Sequence, residues 1–199
     1  MEMYYRTKRP DKLPKYMKWE EIKAFFGSFK LNSYNEMYHY YFFKLMMYSG
    51  LRPIEVLKIK LEDINFQECN IFIPETKNKK QHYAVVHPDF MNDLHEWIKL
   101  MKSHYPNTPY LFPSFTHIIK DKVTPVRIYF KNQLKKAGLS TEYMPYSLRH
   151  SFATHLYNND CPIEKISKML NHQSVSTTLV YTYIAVRPYV EEVKKLEYI

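Results

Sequence analysis

Between Trp19 and Gly27 the apolar positions Trp19, Ile22 and Phe26 recur at three- and four-residue intervals on one helical face. With Glu20 and Glu21 in the opening turn and Gly27 as a stop, the pattern predicts a short amphipathic helix. The next stretch, NEMYHYYFFKLMMYSG, is apolar or aromatic almost all round and ends at Gly50, which predicts a core helix with a glycine C-cap. Pro53 suits the first turn of a further helix, PIEVLKIK. Two short β-rich segments, about 70–74 and 82–86, then flank the polar run ETKNKK and predict a hairpin with a basic tip.

The segments PDFMNDLHEWIKLMKSHY and TPVRIYFKNQLKKAGL each carry proline near the start and apolar residues at three-to-four spacing, so both read as amphipathic helices. The connection PNTPYLFPSFTHIIKDK reads as a surface loop. From Tyr146 onward, YSLRHSFATHLYNN, PIEKISKMLN, SVSTTLVYTYI and RPYVEEVKKLEYI read as four short helices punctuated by Asn, Asp, Pro and Arg-Pro. The expected fold class is therefore mainly α with a small antiparallel β-sheet. Residues 17–199 are expected to form one folded unit behind a basic, proline-containing arm over residues 1–16.

Composition narrows the partners. The chain has 199 residues, 45% of them hydrophobic, enough for one domain with a substantial core. No run of about 18 apolar residues occurs, and the N-terminus lacks the apolar centre of a signal peptide, so no membrane partner and a cytoplasmic location are expected. Cys69 and Cys161 lie far apart, with no CxxC or Cys/His cluster, so neither a disulfide framework nor a zinc site is expected. Lys and Arg outnumber Asp and Glu by 29 to 20, and a net charge of +9 attracts polyanions, nucleic acid first among them.

Metal-free phosphodiester cleavage by a protein nucleophile needs cations on the non-bridging oxygens, an in-line nucleophile and an acid for the leaving oxygen. Arginine suits the first task because its planar fork donates to two phosphate oxygens and keeps its proton. Arg52 sits between a glycine stop and a proline start, a junction expected to leave backbone N–H groups free for a phosphate. Arg149 opens another helix, and Lys77 occupies the hairpin turn beside Lys79 and Lys80. Taken singly, each arginine serves equally well as a cap partner and the lysine as a solvated surface group. Glu55, one turn after Arg52, is placed to hold it by an (i, i+3) pair. His150 is read as a packing or capping residue, and the hydroxyl run 176–178 as helix N-terminal chemistry.

In combination these pieces become specific. SGLRPIEVLKIKLEDI, a lysine-bearing hairpin, YSLRHSFATHL and LNHQSVSTTLVYTY, in that order, resemble the tyrosine recombinases, the phage integrase and Xer family, across nearly the whole chain. That family carries a glycine-leucine-arginine box, a hairpin lysine, an HxxRH box, a GH box and a nucleophilic tyrosine nine residues after its histidine. Tyr181 stands nine residues after His172 and fits; Tyr183 does not, and on an α-helix it points about 200° away.

The resemblance implies a catalytic-domain fold gripping duplex DNA, with other protomers joined in a synaptic tetramer, and no cofactor or metal. It implies transesterification through a 3′-phosphotyrosyl link at Tyr181, with Arg52 and Arg149 clamping the phosphate. Lys77 would protonate the leaving 5′-oxygen and His172 would hydrogen-bond a non-bridging oxygen. Two positions depart from the family. Tyr146 replaces the first histidine of the HxxRH box, where a phenol, with a pKa of about 10, makes a poor base at neutral pH, so its part in the pocket stays open. Asn171 replaces the glycine before His172, and asparagine tolerates left-handed backbone better than most residues. The family usually places a further helical DNA-binding domain before the catalytic one, and here it is expected to be absent. A DNA-binding regulator without turnover, a type IB topoisomerase-like nicking and resealing enzyme, and a helix-turn-helix over 162–183 are the competing readings.

Overall fold

The computed structural model describes residues 13–74, 81–113 and 123–184. Helix α1 (Trp19–Gly27) leads into α2 (Tyr34–Ser49) and the single turn α3 (Pro53–Val56). Three antiparallel strands follow, β1 (Ile64–Asn65), β2 (Asn70–Ile73) and β3 (His82–Val85), in sheet order β1-β2-β3. The remaining helices are α4 (Pro88–His104), α5 (Val123–Lys136), α6 (Pro145–Asn158), α7 (Ile163–Met169) and α8 (Val180–Ile184). Mainly helical with one small antiparallel sheet, the architecture agrees with the expected class.

Helix α2 is the central element. Tyr38, Phe42, Phe43, Leu45 and Met46 are all buried, as its all-round apolar sequence requires. Ser33 caps its start through a hydroxyl accepting from the Glu36 N–H, and Gly50 ends it in the left-handed region at φ 67°. The β2–β3 hairpin pairs Ile71 with Ala84 and Ile73 with His82, so Ile71, Ile73 and Ala84 face the core.

Several local expectations are corrected. Helix α1 buries Ile22 and Phe25, while Trp19 is 40% exposed and rests edge-on against His155, with ring centroids 5.5 Å apart. The helix expected over PIEVLKIK stops at Val56, because the chain beyond it pairs instead with the α4–α5 connection. Leu111 N–H donates to the Ile59 carbonyl (2.9 Å) and Leu61 N–H to that of Pro109 (2.8 Å). That connection is accordingly no surface loop over its first half: Leu111 and Phe112 are buried, and the Trp97 indole donates to the Leu111 carbonyl. SVSTTLVYTYI divides into a 3₁₀ turn (Val175–Thr177) and α8. The helix expected over 187–199 lies outside the described residues.

The apolar interior forms two clusters. The larger unites α1, α2, the sheet, α4 and α5; the smaller comprises Phe152, Ala153, Ile166, Leu170 and Tyr181. Helix α6 spans both, giving Leu148 to the first and Phe152 and Ala153 to the second. The seam between them is where the candidate site lies.

Candidate active site

Arg149 occupies this seam, on α6 between Leu148 and Phe152, and is only 4% exposed. Its guanidinium donates to the Gly50 carbonyl at the end of α2 (2.5 Å) and to the Leu170 carbonyl at the end of α7 (2.6 Å). One side chain thereby joins the ends of two helices to a third, α6. Desolvation by burial, reinforced by the nearby Arg52 charge, lowers its pKa to about 10, which leaves it protonated at neutral pH.

Arg52 is the N-cap of α3, and Glu55 closes a capping box around it. The Glu55 carboxylate accepts from the Arg52 backbone N–H and from its guanidinium, each at 2.7 Å. The expected (i, i+3) pair is present. The expectation of free backbone N–H groups is corrected at Arg52, because the carboxylate satisfies that donor. Glu55 is itself buried and lies 4.0 Å from the Arg149 guanidinium, so one carboxylate serves two arginines.

Tyr181 comes from α8 and is 2% exposed, whereas Tyr183 is 40% exposed, in keeping with the helical offset between them. Burial raises the Tyr181 pKa, and the charges of Arg149 and Arg52 oppose the rise. His172 lies between α7 and α8 with Nδ1 2.6 Å from the hydroxyl of Thr178, which is fully buried. The hydroxyl run thus does more than start a helix: Ser174 accepts from the Ser176 N–H, and Thr178 positions the histidine. Asn171 adopts φ 47°, the left-handed backbone expected of a residue standing in for glycine.

Tyr146, on the first turn of α6, is 44% exposed. Lys77 lies outside the described residues, between β2 and β3. The structure therefore gathers Arg52, Arg149 and Tyr181 at one seam, with His172 on the loop between α7 and α8 and Tyr146 at the rim.

The sequence pattern marks His150 only as a packing or capping residue. Its Nδ1 nevertheless stands 3.1 Å from the Tyr181 hydroxyl, and burial, followed by the Arg149 charge, lowers its pKa to about 4. Position next to Arg149 was the one hint available, and nothing local ties it to a tyrosine 31 residues on.

Comparison with known proteins gives the arrangement a context. Tyrosine recombinase XerA of Pyrococcus horikoshii is 30% identical over 201 residues, covering all of this chain and 67% of that protein. Tyrosine recombinase XerC of Halalkalibacterium halodurans is 30% identical over 181 residues, covering 87% of this chain and 59% of that one. The chain thus spans about two thirds or less of the length of these relatives. A crystal structure of XerA recombinase superposes with a TM-score of 0.79 at 26% identity, covering 95% of this chain and 68% of the other. The XerH site-specific recombinase, solved on a palindromic difH substrate after cleavage, shares the fold (TM-score 0.78, 23% identity, 92% of this chain and 54% of that one). The sequence profile of the phage integrase family matches residues 15–187. On the strength of that match and of the XerA relative, the chain belongs to the phage integrase family and has the tyrosine recombinase catalytic-domain fold.

Proposed function

We propose that this chain cleaves and rejoins duplex DNA as a site-specific recombinase in the cytoplasm, with residues 17–199 as its catalytic domain. The observation that carries the reading is the buried Tyr181 hydroxyl sharing one seam with Arg52 and Arg149, both of whose charges act on it. Tyr181 Oη attacks the scissile phosphorus, forming the 3′-phosphotyrosyl bond as the bond to the 5′-oxygen breaks. Arg52 and Arg149 meet the charge growing on the non-bridging oxygens, where a preorganised cation is worth most. His172 donates to one of those oxygens, and Lys77 gives the leaving 5′-oxygen its proton. Attack by another strand's 5′-hydroxyl reverses the step, so the link conserves bond energy and needs no ATP. Exchange of partners requires further protomers on the DNA, as in a synaptic tetramer.

The test is incubation with a nicked duplex that loses its 5′-hydroxyl fragment on cleavage, followed by denaturing electrophoresis. A covalent adduct is expected for the native chain and for Tyr183→Phe, and none for Tyr181→Phe, which removes one oxygen and little packing. An adduct persisting in Tyr181→Phe would overturn the assignment. DNA binding without any adduct would make the chain a regulator, and relaxation of supercoils without recombinant joints would make it a nicking and resealing enzyme.

A further inference from the structure

A nucleophilic Tyr181 has to shed its phenolic proton as it attacks. Attack by a neutral phenol on a phosphodiester is slow, so an acceptor has to lie within hydrogen-bond reach of the hydroxyl. The first position of the HxxRH box supplies only the phenol of Tyr146, 44% exposed at the rim. Phenols hold their own protons near neutral pH and are poor acceptors there.

The other end of the same box offers an imidazole. His150 lies on α6 beside Arg149, its ring centroid 6.0 Å from that of Tyr181 and its Nδ1 3.1 Å from the Tyr181 hydroxyl oxygen. Resting on Tyr181 as the nucleophile of a recombinase, we propose that His150 is the catalytic proton acceptor for Tyr181 and so takes over, four positions along the helix, the task that Tyr146 is chemically unsuited to perform.

The step balances with groups already named. With its hydrogen on Nε2, the imidazole offers the Nδ1 lone pair to the Tyr181 O–H. As the Oη–P bond forms, the phenolic proton passes to Nδ1 and leaves an imidazolium. The P–O5′ bond breaks with its electron pair on the 5′-oxygen, which takes a proton from Lys77. In rejoining, the imidazolium returns its proton to the departing Tyr181 oxygen, so one side chain serves as base in cleavage and acid in ligation.

Its surroundings suit both halves of the cycle. Burial and the Arg149 charge keep the ring uncharged before DNA arrives, with the lone pair available. A phosphate seated on Arg149 offsets part of that cationic field and makes the ring more basic once substrate is bound. Among the described residues, the charged and titratable groups about it are Tyr181 from α8 and, from its own helix, Arg149 and Tyr146 one turn before it, with Arg52 and Glu55 of the α2–α3 junction acting through Arg149.

The experiment uses the full chain, single-turnover adduct formation on the nicked duplex, and the variants His150→Ala, His150→Gln, Tyr146→Phe and Tyr181→Phe, with DNA retention measured for each. His150→Ala and His150→Gln are expected to bind DNA but to form adduct about 10² to 10⁴ times more slowly, the usual contribution of a positioned base. Glutamine retains an oxygen that accepts a hydrogen bond but no proton, and it tests the idea even if alanine leaves a site that does not fold. Imidazole added to His150→Ala is expected to restore adduct, and a series of substituted imidazoles to restore it faster as their basicity rises. Tyr146→Phe is expected to lose only several-fold. A near-native rate in His150→Gln, a larger loss in Tyr146→Phe than in the His150 variants, or rescue indifferent to imidazole basicity would each overturn the proposal. Adduct present in the native chain, lost in Tyr181→Phe and kept in both His150 variants removes His150 alone. No adduct in the native chain removes the recombinase reading and this proposal with it.

Discussion

The side-chain amide of Asn171 donates to Nδ1 of His82 across 2.8 Å, tying the loop that carries His172 to the edge strand β3. Asn171 also adopts φ 47°, so backbone and side chain act together at this position. Asn171→Gly relieves the left-handed backbone but forfeits the bond to His82, and the two effects are expected to cancel within about 1 kcal/mol. Asn171→Ala loses the bond and keeps the strain, for an expected loss of about 2 kcal/mol. Urea unfolding of the two variants measures the difference; equal stabilities would show that the left-handed backbone carries no penalty here.

At Gly50 the demand is stricter. A Cβ there would lie 2.6 Å from a Phe152 ring carbon and 2.9 Å from a Leu170 methyl, on backbone at φ 67°. The left-handed penalty is about 1–2 kcal/mol and overpacking adds about 1–3, so Gly50→Ala is expected to lose about 2–5 kcal/mol. Because the Gly50 carbonyl anchors Arg149, the variant that still folds should also form adduct slowly. Denaturant midpoints and adduct assays on the same preparation check both effects.

Glu55 is the shared counterion of two arginines. Removing one partner of a buried pair leaves uncompensated charge, and Glu55→Gln is expected to lose about 3 kcal/mol, while inorganic phosphate should stabilise the variant more than the native chain. Thermal melts in phosphate and in chloride at matched ionic strength measure this. Equal responses to the two anions would mean that the arginines do not lean on Glu55 for their charge balance.

Acid stability should follow two histidines. Burial lowers both His39 and His150 to about 4, against about 6.5 in an unfolded chain. Between those values the unfolded state binds more protons, so their contribution is complete above about pH 6.5 and is lost as the pH falls towards 4, on the order of 2 to 3 kcal/mol for each. His39 stacks on Tyr129 with ring centroids 3.7 Å apart, so His39→Phe preserves the stack and should flatten about half of the dependence. Unfolding free energies from pH 7 down to 4 test the sign; stability that rises as the pH drops through this window would contradict it.

Features set by neighbours in sequence were legible in advance. The glycine cap at Gly50, the proline start at Pro53, the β2–β3 hairpin and the opposed directions of Tyr181 and Tyr183 each depend on residues a few positions apart. What escaped depends on distant segments. Ile59 leaves the helical path because Leu111 bonds to it, β1 is two residues long and shows no alternation, and Trp19 turns outward to meet His155 on α6. Within the candidate site, the resemblance of the ordered motifs points to Arg52, Arg149 and His172, and the nine-residue interval from His172 points to Tyr181. The bond from His150 to Tyr181 exists only because α6 and α8 pack together, and no local pattern announces it.

The two carbonyl anchors of Arg149 also bear on the thermodynamics of phosphate binding. A long, flexible side chain loses as much as about 2 kcal/mol of rotamer entropy when it is fixed in place. Here Gly50 and Leu170 fix the guanidinium during folding, so a phosphate arriving at the seam meets an arginine that has little freedom left to surrender.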